Sequence, residues 1–173
     1  MATPAHRDER AAPDPWGRGR GLGWIFVPSP SPWTGRMLAV FRIVAGLIFI
    51  SAGTMKVFGY PPGPAEMPPF DPLTQMGIGG LLEVIGGAAI VLGLLTRPVA
   101  FVLAGEMAVA YWQFHAPASV FPTINQGIPA VLYCFLFLYL AFAGAGAWSL
   151  DAWIARKRTR GAAAGVAARP DAA

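Results

Sequence analysis

Cysteine, histidine and recognisable cofactor motifs are all scarce in this sequence. Cys134 is the only cysteine, so the chain can form no internal disulfide and contains no CxxC redox pair. The two histidines are His6 and His115, which argues against a b-type haem held by two histidines of one chain. The sequence contains no phosphate-binding glycine loop, metal-binding motif or nucleophilic triad. It therefore predicts a protein with no redox cofactor and no metal of its own.

Charged residues are also few, and they are unevenly distributed. They make up 13% of the chain, whereas a soluble domain usually has about 25%. Hydrophobic residues make up 55%, and most charges lie near the two ends. This pattern predicts a membrane protein whose main partner is the lipid bilayer. The net charge of +4 lies on the tails, where lipid head groups are a better partner than nucleic acid.

Four long apolar runs follow one another in the middle of the chain. The first begins at Met37, too late for a secretory signal peptide. A helix needs roughly 20 apolar residues to cross the hydrocarbon core, and all four runs are near that length. The predicted spans are 37–58, 77–95, 98–114 and 128–147. The fold class is therefore predicted to be all-α, a membrane-embedded four-helix bundle over residues 37–147.

The segments outside the bundle have a different composition. Residues 1–36 are rich in Arg, Pro and Gly and predict a disordered basic tail. Residues 148–158 predict a short interfacial helix, with Ser149 as its cap and Asp151 in its first turn. Residues 159–173 are predicted to be a second disordered tail.

The distribution of Lys and Arg predicts the orientation. Basic residues occur only in the two tails, in the predicted interfacial helix, in span 1 and in the short turn between spans 2 and 3, where Arg97 lies. The loops 59–76 and 115–127 contain no Lys or Arg. By the positive-inside rule, both termini are cytoplasmic and these two loops face the periplasm or the cell exterior.

Four ionisable residues lie within the predicted spans: Arg42, Lys56, Glu83 and Glu106. Each would cost about 2.5–3.5 kcal/mol at the centre of a lone membrane helix, so partners are expected. Estimated depth pairs Arg42 with Glu106 and Lys56 with Glu83. Glycine-rich stripes at helical spacing carry the charges on spans 1 and 2, which indicates packed faces. Both bases could instead snorkel to the surfaces, and the two acids could be either structural ion pairs or a proton-handling or ligand-binding site.

A second group of candidate residues lies near the predicted outer end of span 3. His115 could bind a ligand, although an interfacial histidine usually does not. Tyr111, Gln113 and Asn125 are the other ligand-binding candidates in this region. None of the candidates is assigned a catalytic role.

Three motifs in sequence order resemble the DoxX family of small four-helix membrane proteins. They are RIVAGLIFISAGTMKVFG, LLEVIGGAAIVLGLLTRPVAF and AGAGAWSLD, and the resemblance covers roughly residues 37–154. It implies a four-helix protein of the bacterial plasma (inner) membrane. The family takes its name from a subunit of a quinone-linked sulfur oxidoreductase, so the resemblance also implies redox-complex subunits as partners and quinone as a ligand. The positions that match the family's recurrent residues are Arg42, Lys56, Glu83, Gly87, Thr96, Arg97, Ser149 and Asp151.

The sequence departs from the family pattern at one position. Relatives tend to read N–G–G–E at the entrance to the fourth helix, whereas this chain reads NQGI at 125–128. Ile128 therefore stands where an acid is expected, which weakens the inference of an enzymatic role.

Three functions follow from these observations. The favoured prediction is a cofactor-less accessory subunit of a quinone-linked membrane redox complex, in which Glu83 and Glu106 handle protons. A structural scaffold, whose ion pairs hold the helices in register, is the main alternative. A small-solute or proton carrier is the third, and it would need to form a homo-oligomer because four short helices make a poor lone transporter.

Overall fold

The computed structural model describes residues 33–63 and 68–167, with side chains described as far as 161. These residues form helices and connecting loops, and no strand occurs among them. The helices are α1 (Thr34–Phe58), α2 (Gln75–Leu92), α3 (Thr96–Ala110), α4 (Ile128–Ala143) and α5 (Leu150–Ala167). A π-helix, Tyr111–His115, continues α3 directly. The all-α prediction is confirmed.

The helices differ in how well they fit a membrane. Two of those described, α1 with 25 residues and α2 with 18, are long and apolar enough to cross one. The apolar helix α4 is shorter, with 16 residues. The helix α3 has 15 residues before the π-helix adds five more. Large apolar side chains point outwards from several helices, including Ile85, Phe101, Phe135 and Phe142. Such a surface is typical of contact with lipid rather than water.

Glycines bring α1 and α2 into close contact. A Cβ at Gly53 would lie 2.8 Å from the backbone nitrogen of Val84, and a Cβ at Gly46 would lie 3.1 Å from the carbonyl oxygen of Gly87. The missing side chains therefore let the two backbones approach each other, as small residues do at helix contacts in membranes. The predicted packed faces of spans 1 and 2 are present.

The helix α3 packs mainly against α4, and an aromatic contact joins this pair to α1. The rings of Phe49 and Phe137 are 4.7 Å apart in an edge-to-face arrangement, a geometry that aromatic pairs prefer. The buried apolar core is Phe49, Ile90, Ala100, Leu103, Ala104, Met107, Phe137 and Leu140. Since it draws on all four helices, it sets their relative positions. The contact between α2 and α3 is much less extensive than the contact between α1 and α2 or the contact between α3 and α4.

The bounds of the last two helices differ from the prediction. The helix α4 ends at Ala143 rather than near 147, because Gly144 and Gly146 take positive φ angles of 84° and 68°. The predicted cap of α5 is present, since Ser149 Oγ accepts a hydrogen bond from the Ala152 nitrogen at 3.1 Å. However, α5 continues to Ala167, so the predicted disordered tail is wrong for residues 159–167. Arg, Lys and Ala have high helix propensity and extend the helix. Residues 1–32 and 168–173 of the predicted tails lie outside the described residues.

The close contact between α1 and α2 generates a prediction with a matched control. Gly53→Ala should destabilise the protein by about 1–3 kcal/mol, since its new methyl group meets backbone atoms that cannot move aside. Gly105→Ala makes the same change on α3, where a Cβ would meet nothing within 4 Å. It should be neutral or stabilising by up to about 1 kcal/mol. Unfolding in detergent measures both, and equal effects would contradict the packing described.

Candidate functional site

The protein has two ends with different chemistry. The loop end comprises the C-terminus of α1, the N-terminus of α2, the π-helix and the segments 59–63, 68–74 and 116–127. The turn end comprises the turn between α2 and α3, the segment 144–149 and the start of α5. The intramembrane charges predicted from the sequence are divided between these ends.

Lys56 and Glu83 form an ion pair at the loop end. The ammonium of Lys56, in the last turn of α1, lies 2.5 Å from Glu83 Oε1 on α2. The Glu83 side chain is only 3% exposed, whereas that of Lys56 is 29% exposed. Gly53 makes room for this arrangement, because a Cβ there would lie 2.8 Å from the Glu83 Cβ. The predicted pairing of Lys56 with Glu83 is therefore present. The second oxygen, Glu83 Oε2, is buried and has no hydrogen-bond partner among the described residues.

Glu106 lies near this pair and not near Arg42, so the predicted pairing of Glu106 with Arg42 is wrong. Glu106 interacts electrostatically with both Glu83 and Lys56. Its Oε1 faces α2, since a Cβ at Gly79 would lie 3.3 Å from that oxygen. Its Oε2 is buried without a hydrogen-bond partner in the part of the chain that the structure describes. The depth estimate failed because Glu106 lies near the middle of the continuous helical segment 96–115, so depth alone does not decide between Arg42 and Lys56 as its neighbour.

Arg42 lies at the turn end, where it is fully buried and contacts backbone carbonyl groups. Its Nε donates to the Ala145 oxygen at 2.9 Å, and its Nη2 donates to the Trp148 oxygen at 3.0 Å. Its Nη1 donates to the Val91 oxygen at 2.6 Å and also to the Ile90 oxygen. The last carbonyls of a helix have no partner within the helix, and Arg42 satisfies two of them in α2.

Asp151 completes the turn end. Its Oδ1 and Oδ2 accept hydrogen bonds from the backbone nitrogens of Leu95 and Thr96, at 2.8 and 2.9 Å. A carboxylate is stabilised at this position, because the free N–H groups at the start of α3 carry partial positive charge. The Asp151 nitrogen also donates to the Gly93 oxygen at 2.9 Å. We define the turn-end clasp as Arg42, Asp151 and the backbone groups with which these two residues form hydrogen bonds.

The remaining predicted candidates lie at the loop end and have different environments. The Tyr111 hydroxyl donates to the Val120 oxygen at 2.7 Å, and Asn125 Nδ2 donates to the Ser119 oxygen at 2.6 Å. Both side chains are buried and hold the segment 116–127 against the π-helix. Gln113 accepts a hydrogen bond from Gln75 of α2. Tyr111 and Asn125 therefore fix the conformation of this loop.

His115 differs from these residues because one of its ring nitrogens has no hydrogen-bond partner among the described residues. Its Nδ1 lies 3.1 Å from the Asn125 carbonyl oxygen. A carbonyl oxygen can only accept a hydrogen bond, so Nδ1 carries the proton. In the neutral ring, Nε2 is then a hydrogen-bond acceptor, and the described residues provide it with no donor.

A cavity of about 510 Å³ lies between α2 and α3 at the loop end. Its polar lining residues are Lys56, Gln75, Glu106 and His115. Its other lining residues are Met76, Ile78, Gly79, Leu82, Val102, Met107, Val109, Ala110 and Phe114. A volume of this size is typical of small-molecule sites, which are mostly apolar with a few polar groups. Three predicted candidates thus line one cavity, Lys56 and Glu106 from the first group and His115 from the second. Tyr111 and Asn125 do not line it.

An apolar groove continues from this cavity along α2 and α3 towards the turn end. It encloses about 450 Å³ and shares Ile78, Leu82 and Val102 with the cavity. Its other lining residues are Leu81, Ile85, Gly86, Ala89, Leu95, Pro98, Val99 and Leu103. The cavity and the groove together form an elongated space that is polar at the loop end and apolar along the rest of its length.

Sequence reasoning did not identify two features of these sites. Gln75 and Gly79 line the cavity, but neither residue carries a charge that would have marked it as a candidate. Asp151 was assigned to the first turn of its own helix, whereas it binds the start of α3. The sequence signal for this contact was the position of Asp151 shortly after the helix break in GAGAWS. No three His, Cys, Asp or Glu side chains of the described residues lie together as a metal site would require.

The turn-end clasp generates a prediction with a second arginine as control. Arg42→Met should lower the free energy of unfolding by at least about 3 kcal/mol, since several buried carbonyl groups lose their donors together. Arg97→Met removes an exposed arginine from the same end and should change it by about 0.5 kcal/mol or less. Thermal unfolding in detergent measures both. A similar loss in the two variants would contradict the role assigned to Arg42.

Comparisons with known proteins agree with the resemblance found in the sequence. The family model for DoxX matches residues 37–116. A Haemophilus influenzae protein described as uncharacterized is 40% identical over 121 residues, which cover 66% of this chain and 87% of that protein. The inner membrane protein YqjF of Escherichia coli is 31% identical over 131 residues, which cover 68% of this chain and 92% of that protein. No solved structure matches the chain. The chain is therefore a membrane protein of the DoxX family.

Proposed function

We propose that the chain crosses the bacterial inner membrane four times, with both termini in the cytoplasm. The outward apolar side chains on all four helices support this arrangement, as does the name of the E. coli relative. The π-helix brings α3 to 20 residues of continuous helical structure, which is the usual length for a span. Basic residues occur at the turn end, on Arg97 and along α5, and the loop-end segments 59–76 and 115–127 have none. The positive-inside rule then places the turn end in the cytoplasm.

Cysteine labelling tests this orientation. In a Cys134→Ala background, Thr123→Cys and Thr159→Cys place single exposed thiols at the loop end and on α5. A membrane-impermeant maleimide added to intact spheroplasts should label only the Thr123→Cys protein, and lysis should expose Thr159→Cys as well. Labelling of Thr159→Cys in intact spheroplasts would overturn the orientation.

We propose further that the protein is a cofactor-less accessory subunit of a quinone-linked membrane redox complex. The observation that carries this proposal is the α2–α3 cavity, with Glu106 and His115 at its polar end and an apolar groove beyond. A quinone has the same division, because it joins a polar ring to a long apolar tail. The buried Oε2 atoms of Glu83 and Glu106 lack partners among the described residues, and each such atom costs about 1–3 kcal/mol. Of the two residues, Glu106 lines the cavity, so a ligand donor that reached its carboxyl group would offset that part of the cost.

The side chains near the cavity suggest how this subunit would contribute. Glu106 and His115 would orient the ring and hold or accept its protons. Lys56 would hold the Glu83 side chain in place on α2. The apolar groove would exclude water from the tail. Electron transfer would take place on a flavin- or metal-bearing partner subunit.

The scaffold function remains the second candidate because one observation favours it. Arg42 donates all four of its described hydrogen bonds to backbone carbonyl groups of its own chain. The turn-end clasp is therefore a structural device with no group offered to a ligand. A protein that used all its buried charges in this way would be a scaffold. The unpartnered acceptors at the loop end distinguish the two candidates.

Purification from native membranes into nanodiscs tests the accessory role. The tagged protein should recover a flavin- or metal-bearing partner together with extractable quinone. Gly79→Leu places a large side chain in the cavity and should deplete the quinone at least about tenfold. Gly105→Leu is the matched control, since Gly105 faces open space, and it should retain the quinone. A homo-oligomer with lipid alone would contradict the redox role and favour the scaffold.

A further inference from the structure

The turn end and the helix α5 that follows it carry a large excess of positive charge. Their exposed basic side chains are Arg97, Arg156, Lys157, Arg158 and Arg160. Among the described residues of this region, Asp151 has the single carboxylate, and both of its oxygens accept backbone hydrogen bonds. A cluster of Lys and Arg next to a membrane helix is typical of segments that bind anionic lipids. This end of the molecule therefore favours an anionic partner.

A pocket of about 460 Å³ lies where α5 begins, against the end of α2. Trp148, Trp153 and Arg156 line it, and Val91 and Leu92 supply an apolar side. We call this space the tryptophan pocket. Tryptophan is enriched at the level of the lipid head groups, which is where the four-span arrangement places this end of the protein.

The unengaged polar side chains of this pocket are hydrogen-bond donors. The Arg156 guanidinium and the indoles of Trp148 and Trp153 have N–H groups and no acceptor atoms. None of these side chains donates a hydrogen bond to a described residue. Ser149 also lines the pocket, but its hydroxyl donates to the Gly146 oxygen at 3.1 Å and caps α5. A ligand of this pocket is therefore expected to supply acceptor oxygens, and a phosphate group supplies them together with negative charge.

An apolar face of α2 leads from the pocket into the membrane. Leu92 and Ile85 lie about two turns apart on one side of this helix and are 53% and 67% exposed. A phospholipid has the matching division, because it joins a phosphate to long acyl chains. A soluble phosphate compound would occupy the polar part of the pocket and leave this face uncovered. The geometry thus favours a lipid as the source of the phosphate.

We propose that the tryptophan pocket binds the head group of an anionic phospholipid in preference to that of a zwitterionic one. The phosphate oxygens accept hydrogen bonds from the Arg156 guanidinium, and an acyl chain follows Leu92 and Ile85 along α2. The preference arises beside the pocket, where the Lys157 ammonium lies 4.0 Å from the centre of the Trp153 ring. It would repel the ammonium of phosphatidylethanolamine, and no described carboxylate lines the pocket to bind that group. This inference requires the four-span arrangement and is independent of the quinone-linked role.

Native mass spectrometry of the full-length protein measures the preference, because adducts of phosphatidylglycerol and phosphatidylethanolamine differ in mass. The delipidated protein in mild detergent is mixed with equal amounts of the two lipids, which carry identical acyl chains. The wild type should bind phosphatidylglycerol at least about fivefold more tightly, which is the contribution of one basic residue near an anionic surface. Equal binding of the two lipids would overturn the inference.

Two arginines of α5 test whether the pocket is the binding site. Arg156→Gln removes the guanidinium that lines the pocket and should weaken phosphatidylglycerol binding about fivefold. Arg158→Gln makes the same change of charge about 200° further round the helix, at a residue that does not line the pocket. It should change binding by less than about twofold, because salt screens exposed charges that do not contact the ligand. Equal losses would indicate a diffuse attraction to α5 and would overturn the assignment to the pocket.

Two exposed tryptophans provide an independent test. Trp153→Leu removes an indole donor and the ring that Lys157 contacts, and it should weaken phosphatidylglycerol binding at least about fivefold. Trp112→Leu makes the same substitution in the π-helix at the loop end and should leave this binding unchanged. Unchanged binding in Trp153→Leu, or the same loss in both variants, would contradict the proposed site.

A soluble competitor distinguishes a lipid from a free phosphate compound. Glycerol phosphate carries the phosphate without acyl chains, so a large excess of it should not displace phosphatidylglycerol. Displacement would overturn the lipid assignment and identify a soluble phosphate as the ligand. Neither Arg156 nor Trp153 lines the α2–α3 cavity, so quinone recovery from their variants should equal that of the wild type.

Discussion

The turn end depends on the hydrogen bonds that the Arg42 guanidinium donates. A buried charge is costly in a membrane, and a single carboxylate partner would have left several N–H groups of the guanidinium unsatisfied. Arg42 instead donates to carbonyl groups of α2 and of the segment that follows α4. One side chain of α1 thereby fixes the end of α2 and the approach to α5. Gly93 is required at this contact, since a Cβ there would lie 3.0 Å from the Arg42 guanidinium carbon.

The rigid turn end and the glycine-mediated contact of α1 with α2 determine where a cavity can form. The helices α1 and α2 approach too closely to leave space, and α3 and α4 share most of the apolar core. The contact between α2 and α3 is less extensive than these two. The cavity lies at the loop end of that contact, away from the clasp. Glu106 projects from α3 into this region, while the Lys56–Glu83 pair closes it from α1 and α2. The position of the cavity therefore follows from the packing of the other helices.

Much of the architecture could be predicted from the sequence because it depends on side-chain pattern. Apolar runs predicted the helices, and glycine stripes predicted the faces on which α1 and α2 meet. Lys56 and Glu83 could be paired because both are side chains at similar depth on facing stripes. The partners of Arg42 could not be predicted, because they are backbone carbonyl groups and every residue has one. Two of them, those of Ala145 and Trp148, became available only where α4 ended early, at Gly144.

The fold also resolves the significance of Ile128, the position at which relatives tend to have an acid. Ile128 is the first residue of α4, is 42% exposed and does not line the α2–α3 cavity. An acid there would lie at the entrance to α4, next to the loop that Tyr111 and Asn125 hold in place. The carboxylate that lines the cavity comes from α3, as Glu106. The loss of an acid at residue 128 therefore removes no polar group from the proposed binding site. It argues against a role of α4 in that site, and it leaves the site itself unchanged.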